Sequence, residues 1–273
     1  MWKKIVRTAL QEDCQDIGDI TSEAVFKNEI DQFILLAKDK GVLCGFNYFK
    51  KVFLFLDKDV EIKPYFKDGD QIKTGDIICK ISGKIVSILT GERIALNILS
   101  HLSGIATRTA LFVEAAQGKV KILDTRKTLP GLRELQKYAV RCGGGFNHRM
   151  GLHDMVMLKN NHIDSCGGIT AAMGKVRKRW GKRFMIEVET RTLEEVKEAL
   201  ACRVDRIMLD NMDIPTMKEA VEMIQGKIEV EASGNMTLER IAEVALTGVD
   251  FISVGELTHS VNAFDFSLRK MVK

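Results

Sequence analysis

FMIEVETRTLEEVKEALACRVDRIMLD, residues 184–210, contains the repeating unit of the second half of the chain. The segment begins and ends with a short apolar run. The stretch between them has a helical period that places Leu193, Val196 and Leu200 on one face. A strand, a helix and a second strand in this order predict a right-handed βαβ unit with parallel strands.

The same unit recurs on both sides of this segment. Six short apolar runs are predicted strands, over residues 119–124, 154–158, 184–189, 205–210, 228–232 and 250–254. Helical patterns separate the last four of them. Because the chain leaves too little room for eight regular units, the predicted fold class is α/β, with an incomplete, TIM-like (βα) barrel.

The first hundred residues have a different pattern. Tight glycine turns at Gly69 and Gly75, together with a short alternating run over residues 33–37, are typical of a small β-rich module. We therefore predict a separate N-terminal α+β domain over residues 1–103 and a barrel domain over residues 104–262.

Composition narrows the class of protein. Of the 273 residues, 45% are apolar and 29% charged, as in ordinary soluble globular proteins. No run approaches the roughly 18 apolar residues of a membrane span, and acidic residues interrupt the N-terminus before a secretory signal core could form. The six cysteines lie far apart, which favours reduced thiols in the cytoplasm over a disulfide scaffold or a structural zinc site. A net charge of +4 is too small to indicate nucleic acid binding.

Basic residues are concentrated in the middle of the chain. Residues 91–162 contain 11 Lys and Arg against five Asp and Glu, and the remaining residues are slightly acidic. Four of the five histidines fall in the same segment, at positions 101, 148, 153 and 162. A local cationic excess in a nearly neutral chain favours a small, highly anionic ligand over a long polyanion.

Residues 92–102 form an apolar helical pattern with a single polar stripe, made of Arg93, Asn97, Ser100 and His101. The stripe is compatible with a solvent-facing helix surface. Its narrowness favours a partly buried polar seam, at a functional site or at a subunit interface.

Polar residues follow each of the six predicted strands. In a βα barrel, the reacting groups lie where the strands end. The polar strand ends are Asp124–Lys127, Lys159–His162, Glu187 with Glu189, Asp210–Asn211, Ser233–Asn235 and Ser253–Gly255. Any one of these could be an ordinary loop, but six together indicate a common site.

The chemistry of these groups divides by charge. Glu189 and Asp210 can accept hydrogen bonds from sugar hydroxyls or hold Mg²⁺ through water, and a structural ion pair is the alternative for either acid. The cationic side chains, which suit carboxylates and phosphates, are Arg126, Lys127, His148, Arg149 and Lys159.

Small glycine-containing turns follow the last two strands, where barrels commonly bind phosphate through backbone N–H groups. A glycine triplet at residues 143–145 precedes His148 and Arg149 and favours a substrate loop over a plain connection. No serine or cysteine lies in a recognisable nucleophile motif. The residues therefore predict a barrel enzyme that uses Mg²⁺, positioning and charge stabilisation on a carboxylate- or phosphate-rich substrate.

At these motifs the sequence resembles the quinolinate phosphoribosyltransferases, the type II phosphoribosyltransferases of NAD biosynthesis. The resemblance is densest in DTRKTLPGLRELQKYAVRCGGGFNHRMGL, residues 124–152. It extends through most of the chain, over GDIT (18–21), GERIALN (91–97), LSGIAT (102–107), MLDN (208–211), SGN (233–235) and FISVGELTHS (251–260).

The resemblance implies the fold, the reaction and the assembly. The fold would be an N-terminal α/β sandwich, to which residues 263–273 return, followed by the incomplete barrel. The reaction would be transfer of ribose 5-phosphate from phosphoribosyl pyrophosphate to the ring nitrogen of quinolinate, in de novo NAD biosynthesis. Its products would be nicotinate mononucleotide, pyrophosphate and CO₂, with Mg²⁺ on the pyrophosphate. Arg93 would reach the neighbouring subunit's site, so the active unit would be a homodimer.

The resemblance also implies roles for the site residues. Lys127 would lie near the pyrophosphate and the reacting centre, while Glu189 and Asp210 would face the ribose and the metal. The carboxylates of quinolinate would be held by Arg126, His148, Arg149 and Lys159. The remaining substrate-binding residues would be Thr125 and the 5′-phosphate turns Ser233, Gly234, Asn235 and Val254, Gly255, Glu256.

Three positions depart from the family pattern. Asn160 and Arg191 stand where acidic residues are expected, and Glu256 stands where a small residue is expected. Two alternatives remain open: a molybdenum-associated paralogue with a different acceptor, and a non-catalytic anion-binding protein with the same fold. The GGGFNHRMGL stretch favours a dicarboxylate acceptor over the first. The acids at the strand ends argue against the second.

Overall fold

The computed structural model describes residues 2–271, which form two compact units. One unit comprises the chain up to Arg108 together with the segment from Val261 onward, and the other runs from Thr109 to Ser260. The boundary predicted from the sequence, after residue 103, lies inside one continuous helix (Ile85–Ala115), as does the boundary that the contacts define. An uninterrupted helical pattern contains no linker signal, so the sequence could place the division only approximately.

The first unit contains a four-stranded antiparallel sheet of order β12-β1-β5-β3. Its C-terminal strand β12 pairs with β1, from Phe33 opposite Lys270 to Ala37 opposite Phe266. The elements are α1 (Trp2–Cys14), α2 (Ile20–Val25), β1 (Ile30–Ala37), β2 (Gly41–Val42), α3 (Phe46–Leu56), β3 (Glu61–Pro64), β4 (Gln71–Ile72), β5 (Ile77–Lys84), α4 (Ile85–Ala115) and β12 (Phe266–Lys270).

The core of this unit lies between the sheet and its helices. Alternate residues of β1 point inward, so that Phe33, Leu35 and Ala37 are buried. Phe49 and Phe53 of α3 pack on them with their rings in an edge-to-face arrangement.

The second unit is built around six parallel strands in the order β6-β11-β10-β9-β8-β7. The elements are β6 (Lys121–Leu123), α5 (Arg133–Cys142), β7 (Val156–Leu158), α6 (Asn160–Cys166), α7 (Ile169–Trp180), β8 (Ile186–Thr190), α8 (Leu193–Ala201), β9 (Arg206–Asp210), α9 (Ile214–Ile224), β10 (Glu229–Ser233), α10 (Leu238–Ala245), β11 (Phe251–Ser253) and α11 (Glu256–His259).

The strand order shows why this barrel is incomplete. Each strand from β7 to β10 pairs with the next in the chain, and β11 pairs with β6, so β6 and β7 remain the two edges. Beside β6, Phe146 forms a single parallel bridge with Leu123. The predicted fold class is therefore confirmed, with six strands in place of eight.

Helix α4 is long and apolar enough, by length and composition alone, to cross a membrane. The sequence analysis did not identify this helix, because Arg93 and His101 interrupt its apolar run. Core helices of globular proteins meet the same criterion, and Leu99, Leu102 and Ile105 of α4 are buried inside the protein.

Gly104 provides a test of how closely the C-terminal segment packs on α4. A Cβ at this position would lie 2.2 Å from the Asn262 carbonyl oxygen. Gly104→Ala should therefore destabilise the fold by about 1–3 kcal/mol, despite the better helix propensity of alanine. Gly174→Ala in α7 is the matched control, because its Cβ would meet nothing within 4 Å. The control should gain up to about 1 kcal/mol. Urea denaturation measures both, and equal stabilities would contradict the packing described here.

Candidate active site

A cavity of about 750 Å³ opens in the second unit where the parallel strands end. Its walls come from all six strands and the segments next to them. The lining residues are Thr125, Arg126, Lys127, His148, Arg149, Met157, Lys159, Glu189, Met208, Asp210, Asn211, Ser233, Gly234, Asn235, Met236, Thr237, Ser253, Gly255, Glu256 and His259.

All but two of the residues predicted to form the site line this cavity. Val254 does not reach it, because its side chain is buried and its N–H donates to the Leu123 carbonyl oxygen (2.9 Å). Arg93 lies on α4 and is not a lining residue. Arg93 was expected to bind substrate in the site of a neighbouring subunit, and this role stays a prediction.

Two guanidinium groups at the cavity wall have no ion-pair partner in the part of the chain that the structure describes. Neither Arg126 nor Arg149 forms an ion pair with any residue that the structure describes. Arg126 Nε is buried and lacks a hydrogen-bond partner within residues 2–271. Burial, followed by the charge of Arg126, lowers the pKa of Arg149. An anion bound between the two groups would relieve this repulsion.

The backbone around Arg149 is held by a buried polar cluster. Lys137 of α5 forms an ion pair with Asp124, and both side chains are fully buried. Lys137 Nζ also donates to the His148 carbonyl oxygen (2.9 Å), while Asp124 accepts from the His148 N–H (2.9 Å). Asn147 Nδ2 donates to Asp124 and to the Lys137 carbonyl oxygen. These contacts fix the cationic segment against the end of β6.

Arg133 connects the segment that follows β6 with the segment that follows Arg149. Its Nε donates to Thr128 Oγ1 (3.0 Å), and its Nη1 donates to the Met150 carbonyl oxygen (3.1 Å). Sequence reasoning did not single out Arg133 or Lys137. Their only sequence signal was the spacing of two basic residues four positions apart, which places them on one face if the segment is helical.

The acidic side of the cavity is formed by Glu189 and Asp210. Lys159 Nζ lies 2.7 Å from Glu189 Oε2. Burial, followed by the charge of Glu189, raises the pKa of Asp210, and hydrogen bonds from Asn211 and Asn160 partly oppose this rise. Two neighbouring carboxylates at the cavity fit a divalent cation that also takes oxygen ligands from a substrate and water.

The turn after β10 offers main-chain donors to the cavity. Gly234 has φ +93°, and a Cβ there would lie 2.2 Å from Asn211 Oδ1, so only glycine fits. The N–H groups of Gly234, Asn235 and Gly255 donate to no atom among the residues that the structure describes. Unpaired N–H groups at a cavity rim suit a phosphate.

The three departures from the family pattern have different consequences. Arg191 does not line the cavity and forms surface ion pairs with Asp164 (2.8 Å) and Glu195 (2.6 Å). Asn160 lies beside Asp210, where a carboxylate would add to the repulsion between acids. Glu256 does line the cavity.

Five lining residues were not predicted from the sequence. They are Met157, Met208, Met236, Thr237 and His259. Asn211 and Ser253 were named among the polar strand ends but were given no role. The period-2 alternation of a strand could have indicated Met157 and Met208, since each lies two positions before a predicted site residue. His259 had no signal beyond its place in FISVGELTHS.

The buried ion pair predicts a large loss of stability when one partner is removed. Lys137→Met should cost about 3–5 kcal/mol, because it leaves the Asp124 carboxylate buried without its countercharge. Arg141→Met on the same helix is the control, since the exposed Arg141 guanidinium donates only to Asn147 Oδ1 (2.8 Å). Thermal and urea unfolding should show less than about 1 kcal/mol for this control. Similar losses for the two variants would contradict the structural role of Lys137.

The fold and the cavity together define a class of protein: a (βα)-barrel protein with a site for small, multiply charged anions at the carboxyl ends of its strands. Family models describe the chain almost completely. Residues 19–103 match the quinolinate phosphoribosyl transferase N-terminal domain, and residues 105–269 match the C-terminal domain. The chain belongs to the quinolinate phosphoribosyltransferase family.

Individual relatives agree with this assignment. The chain is 45% identical to the chloroplastic nicotinate-nucleotide pyrophosphorylase [carboxylating] of Arabidopsis thaliana, over 98% of this chain and 82% of that protein. It is 42% identical to the probable nicotinate-nucleotide pyrophosphorylase [carboxylating] of Bacillus subtilis, over 97% and 92%. The structure is similar to that of the nicotinate-nucleotide pyrophosphorylase from Francisella tularensis, with a TM-score of 0.95, 41% identity, and coverage of 99% of this chain and 96% of that one.

Proposed function

We propose that this protein is a decarboxylating quinolinate phosphoribosyltransferase of de novo NAD biosynthesis. It transfers ribose 5-phosphate from phosphoribosyl pyrophosphate to quinolinate, forming nicotinate mononucleotide, pyrophosphate and CO₂. The observation that carries this proposal is the pairing, in one cavity, of the unneutralised Arg126 and Arg149 with the acids Glu189 and Asp210. The names of the relatives support the same reaction.

Quinolinate occupies the cationic side of the cavity. Two guanidinium groups without an intramolecular anion match two carboxylates on one ring, because each can form paired N–H···O contacts. Lys159 and His148 border the same region and complete the set that we assign to the carboxylates.

Phosphoribosyl pyrophosphate occupies the acidic side and the turns. Glu189 and Asp210 accept hydrogen bonds from the ribose hydroxyls, and the main-chain donors of the 233–235 turn and of Gly255 hold the 5′-phosphate. Lys127 lies against Gly255, since a Cβ there would be 3.0 Å from Lys127 Cδ, and it neutralises the pyrophosphate near the reacting carbon.

We assign Mg²⁺ to the acidic side as the cofactor. Glu189 and Asp210 would hold it, directly or through water, together with oxygens of the pyrophosphate. The raised pKa of Asp210, caused in part by the charge of Glu189, fits a site that a cation would stabilise. When bound, Mg²⁺ supplies charge neutralisation to the leaving group.

The mechanism needs no protein nucleophile. The cavity holds the pyridine nitrogen in line with the anomeric carbon, where a C–N bond forms as the C–O bond to pyrophosphate breaks. Positive charge that develops on the ribose faces the acids, and Lys127 faces the leaving group. The ring nitrogen is then cationic, so the adjacent C–C bond breaks with loss of CO₂. The electron pair that stays on the ring carbon accepts a proton.

We propose a homodimer as the active unit, with Arg93 contributed to the neighbouring subunit's cavity. Arg93 is exposed on α4, in line with the polar stripe of residues 92–102. Its guanidinium would be the third one at the carboxylate site of the partner chain, beside those of Arg126 and Arg149.

We propose a cytoplasmic location. None of the six cysteines, all of which lie within residues 2–271, forms a disulfide. Unbridged thiols are typical of a reducing compartment.

The proposed reaction has a direct test. The purified protein is incubated with quinolinate, phosphoribosyl pyrophosphate and Mg²⁺, and nicotinate mononucleotide is measured. A correctly folded protein that forms no product would refute the proposal. The outcome would then favour either the paralogue with another acceptor or the non-catalytic anion-binding protein.

Mutations on the two sides of the cavity should impair the use of different substrates. Arg126→Ala should raise KM for quinolinate by about tenfold or more, because one charge-assisted contact is worth roughly 1.5–3 kcal/mol. Asp210→Ala should impair mainly the use of phosphoribosyl pyrophosphate. Steady-state kinetics with each substrate varied in turn provide the measurement. Equal, mild effects on both substrates would show that the division of the cavity is wrong.

Complementation tests the contribution of Arg93. Arg93→Ala and Arg126→Ala chains are purified separately, then unfolded, mixed and refolded together, and activity is measured at a quinolinate concentration at which neither variant alone is appreciably active. If each site uses Arg93 from one chain and Arg126 from the other, half of the sites in mixed dimers are intact, so about a quarter of wild-type activity should return after random pairing. Recovery of no activity in dimers shown to be mixed would place both residues in a site on the same chain.

A further inference from the structure

Next to the cavity lies a buried cluster of charged side chains, of which the reaction described above uses only His148. His148 Nε2 lies 3.0 Å from Glu187 Oε2 and 3.3 Å from Glu231 Oε2. The side chains of both acids are fully buried, and that of His148 is 5% exposed. Buried charges are costly unless they are paired, so this cluster requires an explanation.

Glu231 is the better anchored of the two acids. Its Oε1 accepts from Ser253 Oγ, and its Oε2 lies 3.2 Å from Arg206 Nη1. Neither oxygen of Glu187 has a partner with hydrogen-bond geometry among the residues that the structure describes. The orientation of the carboxylate of Glu231 is therefore set by two other strands, β9 and β11.

Arg206 links this cluster to the far end of the barrel. Its guanidinium lies 4.0 Å from the centre of the Phe251 ring, and its Nη2 is 2.8 Å from Glu229 Oε2. Glu229 is largely exposed, whereas Glu231 is fully buried. The two acids thus contact the same guanidinium through different nitrogens, and only Glu231 touches His148.

The imidazole of His148 has protein atoms close to both nitrogens, with a hydrogen bond at Nδ1 and no hydrogen-bond geometry at Nε2 among the described residues. Nδ1 lies 2.7 Å from the Arg149 nitrogen, whose N–H points toward it, and Nε2 faces the two carboxylates. His148 also lines the cavity, where the proposed function places it on the carboxylate-binding side. It acts on the cavity through the position of Arg149 and through its own charge.

We propose that Glu231 is a positioning residue for the carboxylate-binding side of the site: it holds the ring of His148, and His148 in turn orients the backbone of Arg149. This inference rests on the proposed function, since Arg149 is assigned there to the carboxylates of quinolinate. Glu231 itself touches no substrate, because it is not among the lining residues of the cavity.

The charge state of His148 should depend on the same contact. Burial alone would lower the pKa of His148, but Glu187 and Glu231 outweigh this effect and raise the pKa to about 9. The Arg149 N–H at Nδ1 favours the neutral ring, so removal of one carboxylate should lower the pKa of His148. The charged groups around the ring are Glu187 on β8, Arg206 on β9, Glu231 on β10, Asp124 and Lys137 behind its backbone, and Arg126 and Arg149 at the cavity wall.

A divalent cation is the alternative occupant of the cluster, since His148, Glu187 and Glu231 offer three ligand atoms within 4.8 Å of one another. The charges balance without it. The two carboxylates already face the guanidinium of Arg206 and the ring of His148, whose pKa they raise, so an added divalent cation would bring further positive charge into a buried place.

The experiment compares Glu231→Gln with Glu229→Gln. Both variants remove one carboxylate from Arg206, but only the first removes a contact to His148. Glu231→Gln should raise KM for quinolinate about tenfold, the lower end of the effect found when the partner of a metal-ligating histidine is removed, and leave KM for phosphoribosyl pyrophosphate nearly unchanged. Glu229→Gln should leave both values unchanged.

A spectroscopic readout distinguishes positioning from a general loss of structure. The chain has five histidines, so the ¹⁵N signals of the His148 ring can be assigned and titrated by NMR. The pKa of His148 should fall in Glu231→Gln and stay at the wild-type value in Glu229→Gln. If Glu231→Gln does not fold, Ser253→Ala, which removes only the hydroxyl that donates to Glu231, should shift both readouts in the same direction by a smaller amount.

Each outcome bears on a separate claim. A wild-type protein that forms no nicotinate mononucleotide refutes the proposed function. An active wild-type protein whose Glu231→Gln variant keeps the wild-type KM for quinolinate and the wild-type pKa of His148 refutes only the role of Glu231. Elemental analysis that finds one transition metal per wild-type chain, lost in Glu231→Gln, would also overturn it in favour of a metal site.

Discussion

The ion pair between Lys137 and Asp124 is the contact on which the candidate site depends most. It joins the end of β6 to helix α5, and through the main chain of His148 it also fixes the segment that carries Arg149. Two opposite charges that are buried together must stay together, because separating them would leave each without solvent or a partner. The cationic side of the cavity is thus built on a constraint that lies outside the cavity itself.

The interior of the barrel also contains buried charges that support the cavity. Instead of a wholly apolar filling, it contains Glu187, Glu231, Arg206 and Ser253 beneath the cavity, together with the ring of His148. Such a network is stable only if every charge has a countercharge within reach. It also restricts the side chains above it to one arrangement, which is what a site that works by positioning and charge requires.

Much of this site could be predicted from the sequence because strand ends in a barrel converge. Short apolar runs followed by polar residues identified the rim, and the charges of Arg126, Lys159, Glu189 and Asp210 indicated an anion-rich substrate before any coordinates were known. Residues that hold the cavity-lining side chains in place without lining the cavity themselves were not predicted. Lys137, Glu231 and Arg206 look in the sequence like ordinary surface charges on a helix or at a strand end. Val254 was placed in the site because its neighbour Gly255 belongs there, but its side chain points the other way.

The sequence by itself determined the α/β fold class, the family and the set of polar residues at the strand ends. Periodicity and local motifs are properties of neighbouring residues, and these are visible in a single chain. Only the tertiary structure decided which charges are paired and which are available. Arg126 and Arg191 are both arginines near strand ends, yet Arg126 lines the cavity without an ion pair among the described residues, while Arg191 is neutralised by Asp164 and Glu195. The reason is physical: the interaction between two charges depends on their distance and burial, and neither quantity follows from their separation along the chain.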